Sequence, residues 1–183
     1  MTAAGRRPEG VDGPVRRPPA PVLDGLVPIP TYRDRPATPA SDLTGVDLAG
    51  RAIDVRVLGT GHWTLLVFLS SRCDGCRPLW DALADVTASG LAGDERVVAV
   101  THGPDHEDVA ALRTLAPAGS TGAEPSPAVI MATAAWSAYR VQGPPFFVLV
   151  DGAADQVVTE GVAWGVSQIA GHVRMARQTY AAG

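Results

Sequence analysis

Lysine is absent from this 183-residue chain, and all 15 of its cationic side chains are arginine. Schiff-base catalysis by lysine is therefore excluded, as is a phosphate-binding loop built on its usual lysine. Cysteine is scarce: there are two, in the run Cys73-Asp74-Gly75-Cys76. A disulfide scaffold needs several pairs spread along the chain. A structural zinc site needs about four ligands, commonly from two such pairs. One CxxC meets neither need, so no metal and no bound cofactor are expected and redox chemistry moves forward. The formal net charge of −4 leaves no basic face, so nucleic acid is not an expected partner.

Long apolar runs are missing too. No stretch reaches the ~20 apolar residues of a membrane span, so no membrane insertion is expected. Segment 22–29 is short and is broken by Asp24, Gly25 and Pro28. Arg6, Arg7, Arg16 and Arg17 are not followed by an apolar run, so no secretory signal is read. The expectation is a cytoplasmic protein, in which the cysteine pair is kept reduced, with an extracytoplasmic one as the alternative.

What is present divides into two parts. Residues 1–42 are rich in proline, glycine and arginine and lack apolar periodicity, which predicts a disordered tail. Residues 43–183 alternate in character and predict the folded domain. Alternation predicts a strand over 52–57, and the continuous run Trp-Thr-Leu-Leu-Val-Phe-Leu predicts a strand over 63–69 buried on both faces. The CxxC follows, opening a helix with Leu79, Leu83 and Val86 on one face that ends near Gly90. A buried strand over 96–100 comes next. Asp105 then reads as an N-cap with Glu107 and Asp108 in the first turn, and Val109, Leu112 and Leu115 form the apolar stripe. A strand over 128–131, a short helix over 134–139, a hairpin of strands 146–150 and 156–159, and an amphipathic helix over 166–180 complete the chain. From Trp63 the order is β-α-β-α-β-α-β-β-α. It predicts an α/β fold: a central mixed β-sheet flanked by helices, with an extra N-terminal strand.

A cysteine pair of this spacing can close a small disulfide at a helix start, where unpaired N–H groups favour the thiolate of the first cysteine. Cys73 is then the attacking thiol and Cys76 the resolving one. Arg72 and Arg77 favour the thiolate, and Asp74 opposes it.

The segment Phe68-Leu69-Ser70-Ser71-Arg72-Cys73-Asp74-Gly75-Cys76 resembles the active-site region of the thioredoxin superfamily. Tyr139-Arg140-Val141-Gln142-Gly143-Pro144-Pro145 resembles the same family's Tyr-x-Val-x-Gly-x-Pro segment. Together with the matching element order, the resemblance covers about residues 45–180, in a pattern similar to the extracytoplasmic branch that includes proteins serving cytochrome c and methylamine dehydrogenase maturation. The resemblance implies a thioredoxin-like fold and thiol–disulfide oxidoreductase activity. It implies a protein or small-molecule thiol or disulfide as substrate, and a reductase or oxidant as partner. It also implies a cis-proline at Pro145 packed against the disulfide, with Pro144 beside it where the family pairs its backbone with a bound peptide.

Four departures stand out. Val67 replaces the family's buried acid, and Arg72 its tryptophan. Pro78 lies nearer the cysteines than the family's helix-kinking proline. Pro144 lacks the N–H that half of the peptide pairing requires. These departures keep open a non-catalytic binding module with a redox-sensitive disulfide. Ser70, three residues before Cys73, keeps open a thiol-dependent peroxidase. His102 and His106 are four apart, but Gly103-Pro104 breaks the helix between them, so a shared metal is not expected; His102 is a candidate proton shuttle. Trp80, Trp136 and Tyr139 read as core, His62 and His172 as surface.

Overall fold

The computed structural model describes residues 39–120 and 127–181. Most of the expected tail lies outside these residues. The chain runs through β1 (Leu43–Val46), β2 (Ala52–Val55), β3 (Trp63–Phe68), a 3-10 turn (Asp74–Cys76), α1 (Arg77–Leu83), β4 (Arg96–Thr101), α2 (Val109–Leu115), β5 (Ala128–Met131), α3 (Thr133–Ala138), β6 (Phe146–Asp151), β7 (Gln156–Val162) and α4 (Val166–Ala181). The seven strands form one sheet in the order β2-β1-β5-β4-β3-β6-β7. Strands β3, β4 and β5 are parallel. Strands β6 and β7 continue antiparallel from β3, and β1 pairs antiparallel with β5. The sheet is mixed, as the element order predicts.

Strand β3 lies inside the sheet, between β4 and β6, because its apolar run has two faces to bury. Successive side chains of a strand point to opposite sides. Leu65, Val67 and Leu69 join Leu79, Trp80 and Leu83 of α1, Leu112 of α2, and Ile169 and Val173 of α4. Leu66 and Phe68 turn to the other side, against Trp136 and Tyr139 at α3. The sheet thus separates two cores. Its parallel centre carries the CxxC turn at the C-terminal end of β3.

Strand β7 runs on to Val162 rather than ending at Thr159, and four other elements differ from the sequence expectation. Strand β1 is an additional one: Leu-Thr-Gly-Val is too short to announce itself, and Gly45 is required because a Cβ there would meet the Met131 carbonyl oxygen and lie 3.0 Å from Ala132 Cβ. The strand expected over 52–57 ends at Val55, where Asp42 draws the chain away by accepting the N–H groups of Val57 (2.6 Å) and Leu58 (2.9 Å). Helix α1 ends at Leu83, not near Gly90, because the Ser89 hydroxyl donates to the Ala82 and Val86 carbonyls, and the Leu91 N–H turns back to Val86. The N-cap of α2 is Asp108, whose carboxylate accepts from the N–H groups of Ala110 and Ala111, both at 3.0 Å. Asp105 stays in the preceding turn, and Glu107 lies before the helix rather than in its first turn.

The segment leading into β1 is fastened from Pro39 onward. Pro39 bridges Gln156, and Ser41 clasps Tyr139: its N–H donates to Tyr139 Oη (3.0 Å), which donates to the Ser41 carbonyl (2.6 Å). Burial holds the Tyr139 phenol above its ordinary value of 10.0, against the opposing pull of the Ser41 hydrogen bonds. Replacing Tyr139 with Phe is expected to lower the unfolding free energy by about 1–2 kcal/mol, measured by urea denaturation at neutral pH. The sign of the pH effect follows from the raised value: the unfolded chain loses the phenolic proton first, so stability is lost as pH rises past 10. The Phe variant is expected to show a shallower alkaline decline, and no lysine titrates in that range to obscure it.

Candidate active site

Cys73 and Cys76 are joined by a disulfide, with their Cα atoms 5.3 Å apart. Cys73 stands at the start of the 3-10 turn in extended conformation (φ −109°, ψ 105°), and the Cys76 N–H donates to its carbonyl at 3.0 Å. The turn runs directly into α1, with Pro78 in the first helical turn, where a missing N–H costs no hydrogen bond. The two sulfur-bearing residues are unequally placed. Cys76 is 0% exposed, within the core formed by Leu79, Trp80 and Phe147, whereas Cys73 is half-buried.

The Pro144–Pro145 peptide bond is cis, and Pro145 is buried. Phe146 pairs with Phe68 across β6 and β3, which sets the proline loop at the same sheet end as the CxxC turn. Pro144, half-buried, has no N–H to offer a bound chain. The two flanking arginines differ. Arg77 is held by Asp81 one helical turn on (Nε to Oδ1 3.0 Å), while Arg72 is exposed and its backbone N–H donates to Ser70 Oγ.

Two further residues belong to the site that the sequence reading did not single out for it. Glu107, 5% exposed, reaches the Ser70-Ser71 approach to Cys73 from the loop before α2. Trp164, 63% exposed at the junction of β7 and α4, lies against Gly75: a Cβ on Gly75 would stand 2.6 and 2.9 Å from the indole ring. The one sequence sign of this contact is the glycine itself, between the two cysteines.

His102 follows β4 and stacks on Trp136, ring centroids 3.9 Å apart and planes 16° from parallel. Burial lowers its pKa from 6.5, partly opposed by the Glu107 charge and aided by His106. The imidazole is thus held neutral at pH 7. It lines a cleft of about 340 Å³ with Arg140 and Gln142 of the proline loop. The His102 and His106 rings lie 5.5 Å apart, and among the described residues no group of three or more His, Cys, Asp or Glu could hold a metal ion. Trp80, Trp136 and Tyr139 are core residues, at 1%, 3% and 1% exposure, and His62 and His172 are exposed. Among the described residues no helix is long and apolar enough to cross a membrane.

A seven-stranded mixed sheet, a CxxC at the C-terminal end of the interior strand β3 and a cis X-Pro bond at the same sheet end define the class: the fold is thioredoxin-like. Particular likenesses follow among solved structures. The thioredoxin domain of a thiol–disulfide oxidoreductase from Bacteroides vulgatus matches with a TM-score of 0.56 and 18% identity, over 77% of this chain and 97% of that one. A secreted disulfide oxidoreductase of Mycobacterium tuberculosis matches at 0.52 and 21% identity, over 72% of this chain and 94% of that one. A thioredoxin-like protein from Aeropyrum pernix matches at 0.53 and 16% identity, over 74% and 89%. Neither a family model nor a curated protein matches the sequence.

Proposed function

We propose that this chain is a thiol–disulfide oxidoreductase acting through Cys73 and Cys76. The observation that carries the reading is the unequal burial of two cysteines joined at the start of a helical turn. A half-buried Cys73 can be approached by a second molecule, and a fully enclosed Cys76 can be reached only by its neighbour. The solved structures that share the fold include proteins described as disulfide oxidoreductases, which supports the same reading.

In the reducing direction the Cys73 thiolate attacks one sulfur of a substrate disulfide. The substrate's S–S bond breaks, its other sulfur leaves as a thiolate, and a mixed disulfide with Cys73 forms. Cys76, deprotonated, then attacks the Cys73 sulfur. The Cys73–Cys76 bond forms, the substrate's second thiolate leaves, and two electrons have passed to the substrate. A dithiol reductase returns the pair to its reduced state; run in reverse, the same steps oxidise a substrate dithiol. Pro144 removes one of the two backbone hydrogen bonds that an extended substrate strand could make beside the disulfide, so capture depends more on side-chain contact near Trp164. That same deficit favours, as a second reading, a binding module whose disulfide acts as a latch.

Reduction of insulin disulfides and consumption of hydrogen peroxide, measured side by side with the same thiol reductant, separate the readings. Exchange predicts insulin reduction well above the uncatalysed rate and negligible peroxide turnover. Peroxide turnover without insulin reduction would assign a peroxidase, and neither activity would leave the binding module.

A further inference from the structure

Ser70 and Ser71 join β3 to the cysteine turn, and one carboxylate oxygen holds both. Glu107 Oε2 accepts the Ser70 hydroxyl (3.1 Å), the Ser71 N–H (2.8 Å) and the Ser71 hydroxyl (2.5 Å). The serines pass the connection onward: Ser71 Oγ accepts the Asp108 N–H (3.0 Å), and Ser70 Oγ accepts the Arg72 N–H (3.1 Å). Asp108 in turn caps α2, and the Ser70 carbonyl faces the Trp80 indole N–H at 3.5 Å. Glu107 is thus a buried negative group fixed between the entry of α2 and the approach to Cys73.

We propose that Glu107 is a positioning residue of this site, holding the approach to Cys73 in place and, through its negative charge, keeping the Cys73 thiol less acidic than its flanking arginines alone would make it. The inference rests on the exchange reading above. Two residues span at most about 7 Å of chain, so the carboxylate lies within roughly 10 Å of the Cys73 backbone. An anion at that range disfavours a second anion, and burial of the Glu107 carboxylate reduces its own screening by water. The other ionisable groups about the turn are Arg72 and Asp74, Arg77 held by Asp81, Asp108 at the cap of α2, and the imidazoles of His102 and His106, of which His102 interacts with the Glu107 charge. With Val67 in the centre of the sheet, no acid stands in β3 itself, so Glu107 is the buried acid that reaches this segment. The class of effect is redox poise: a thiol kept less acidic makes the disulfide harder to reduce.

The hydrogen bonds all fall on one oxygen, which makes Glu107→Gln a clean test, because an amide oxygen can take the place of Oε2 while the charge goes. Glu107→Ala removes both. The rate of iodoacetamide alkylation of Cys73 is followed against pH in a Cys76→Ser background, and the two-cysteine chain is equilibrated with glutathione buffers. For Glu107→Gln, alkylation below the midpoint is expected to rise about three- to tenfold, with the midpoint at lower pH, little change in Tm, and a glutathione equilibrium moved toward the dithiol. Glu107→Ala is expected to show the same shift together with slower insulin reduction. An alkylation profile and a glutathione equilibrium that stay at the parent's values in Glu107→Gln would overturn the proposal, whatever happens to Tm. A profile that moves in the Ala variant alone would overturn it too, since the charge would then have no part. Alkylation reads Cys73 whether or not the protein exchanges disulfides with any substrate, so failure of the functional reading leaves this test intact.

Discussion

Serine in place of Cys73 is expected to bring insulin reduction down to the uncatalysed rate, whereas serine in place of Cys76 is expected to trap substrate on Cys73. The asymmetry follows from burial. A substrate disulfide can meet the half-buried Cys73 but not the enclosed Cys76. Without Cys73 the first bond cannot form; without Cys76 it forms and is not resolved from within the chain. Mass spectrometry under non-reducing conditions checks both: the Cys76→Ser variant mixed with an oxidised peptide should carry the mass of one peptide chain, and the Cys73→Ser variant should not. Adducts on the Cys73→Ser variant, or equal residual turnover in both, would show that the roles are assigned wrongly.

The largest expected effect on stability is at Phe68. Its ring meets Trp136 edge-on at 5.4 Å and Tyr139 at 5.9 Å, it is 0% exposed, and its backbone pairs with Phe146 on one side and Val100 on the other. Alanine there removes the ring and leaves a cavity among rigid neighbours, at a cost of about 3–5 kcal/mol. For a chain of this size that corresponds to a fall in Tm of roughly 6–20 °C. Calorimetry of the oxidised protein measures it. A fall of only a degree or two would mean that the face toward α3 is not packed as described.

The parts that were legible in the sequence are those whose burial repeats locally. The apolar runs of β3, β4 and β6 announce strands enclosed on both sides, and the stripe Ile169, Val173, Ala176 announces α4. What escaped depends on contacts between distant residues. Strand β1 is four residues long and contains glycine; only its pairing with β2 and, through Val46, with Met131 makes it a strand. The sequence reading places the start of α2 three residues too early, at Asp105, because Asp105 and Asp108 both precede helix formers. Glu107 decides between them by turning inward to the serines, which sets the helix start at Asp108. The cysteines and Pro145 carry a recognisable spacing. Glu107 acts 36 residues away from Ser71, and no local periodicity records that.

The pairing of Gly75 with Trp164 makes the two residues between the cysteines unequal as sites of change. Asp74 is exposed, so its side chain can be exchanged freely and its charge varied as a means of adjusting the couple. Gly75 offers less latitude: a side chain there must first move the exposed Trp164 indole aside. In a library that randomises both positions, tolerated sequences should therefore be more diverse at the first than at the second. That difference should narrow when the tryptophan is shortened in the same molecule. The dipeptide inside the CxxC is then better described as a tripartite unit, whose third member lies at the other end of the domain's sequence.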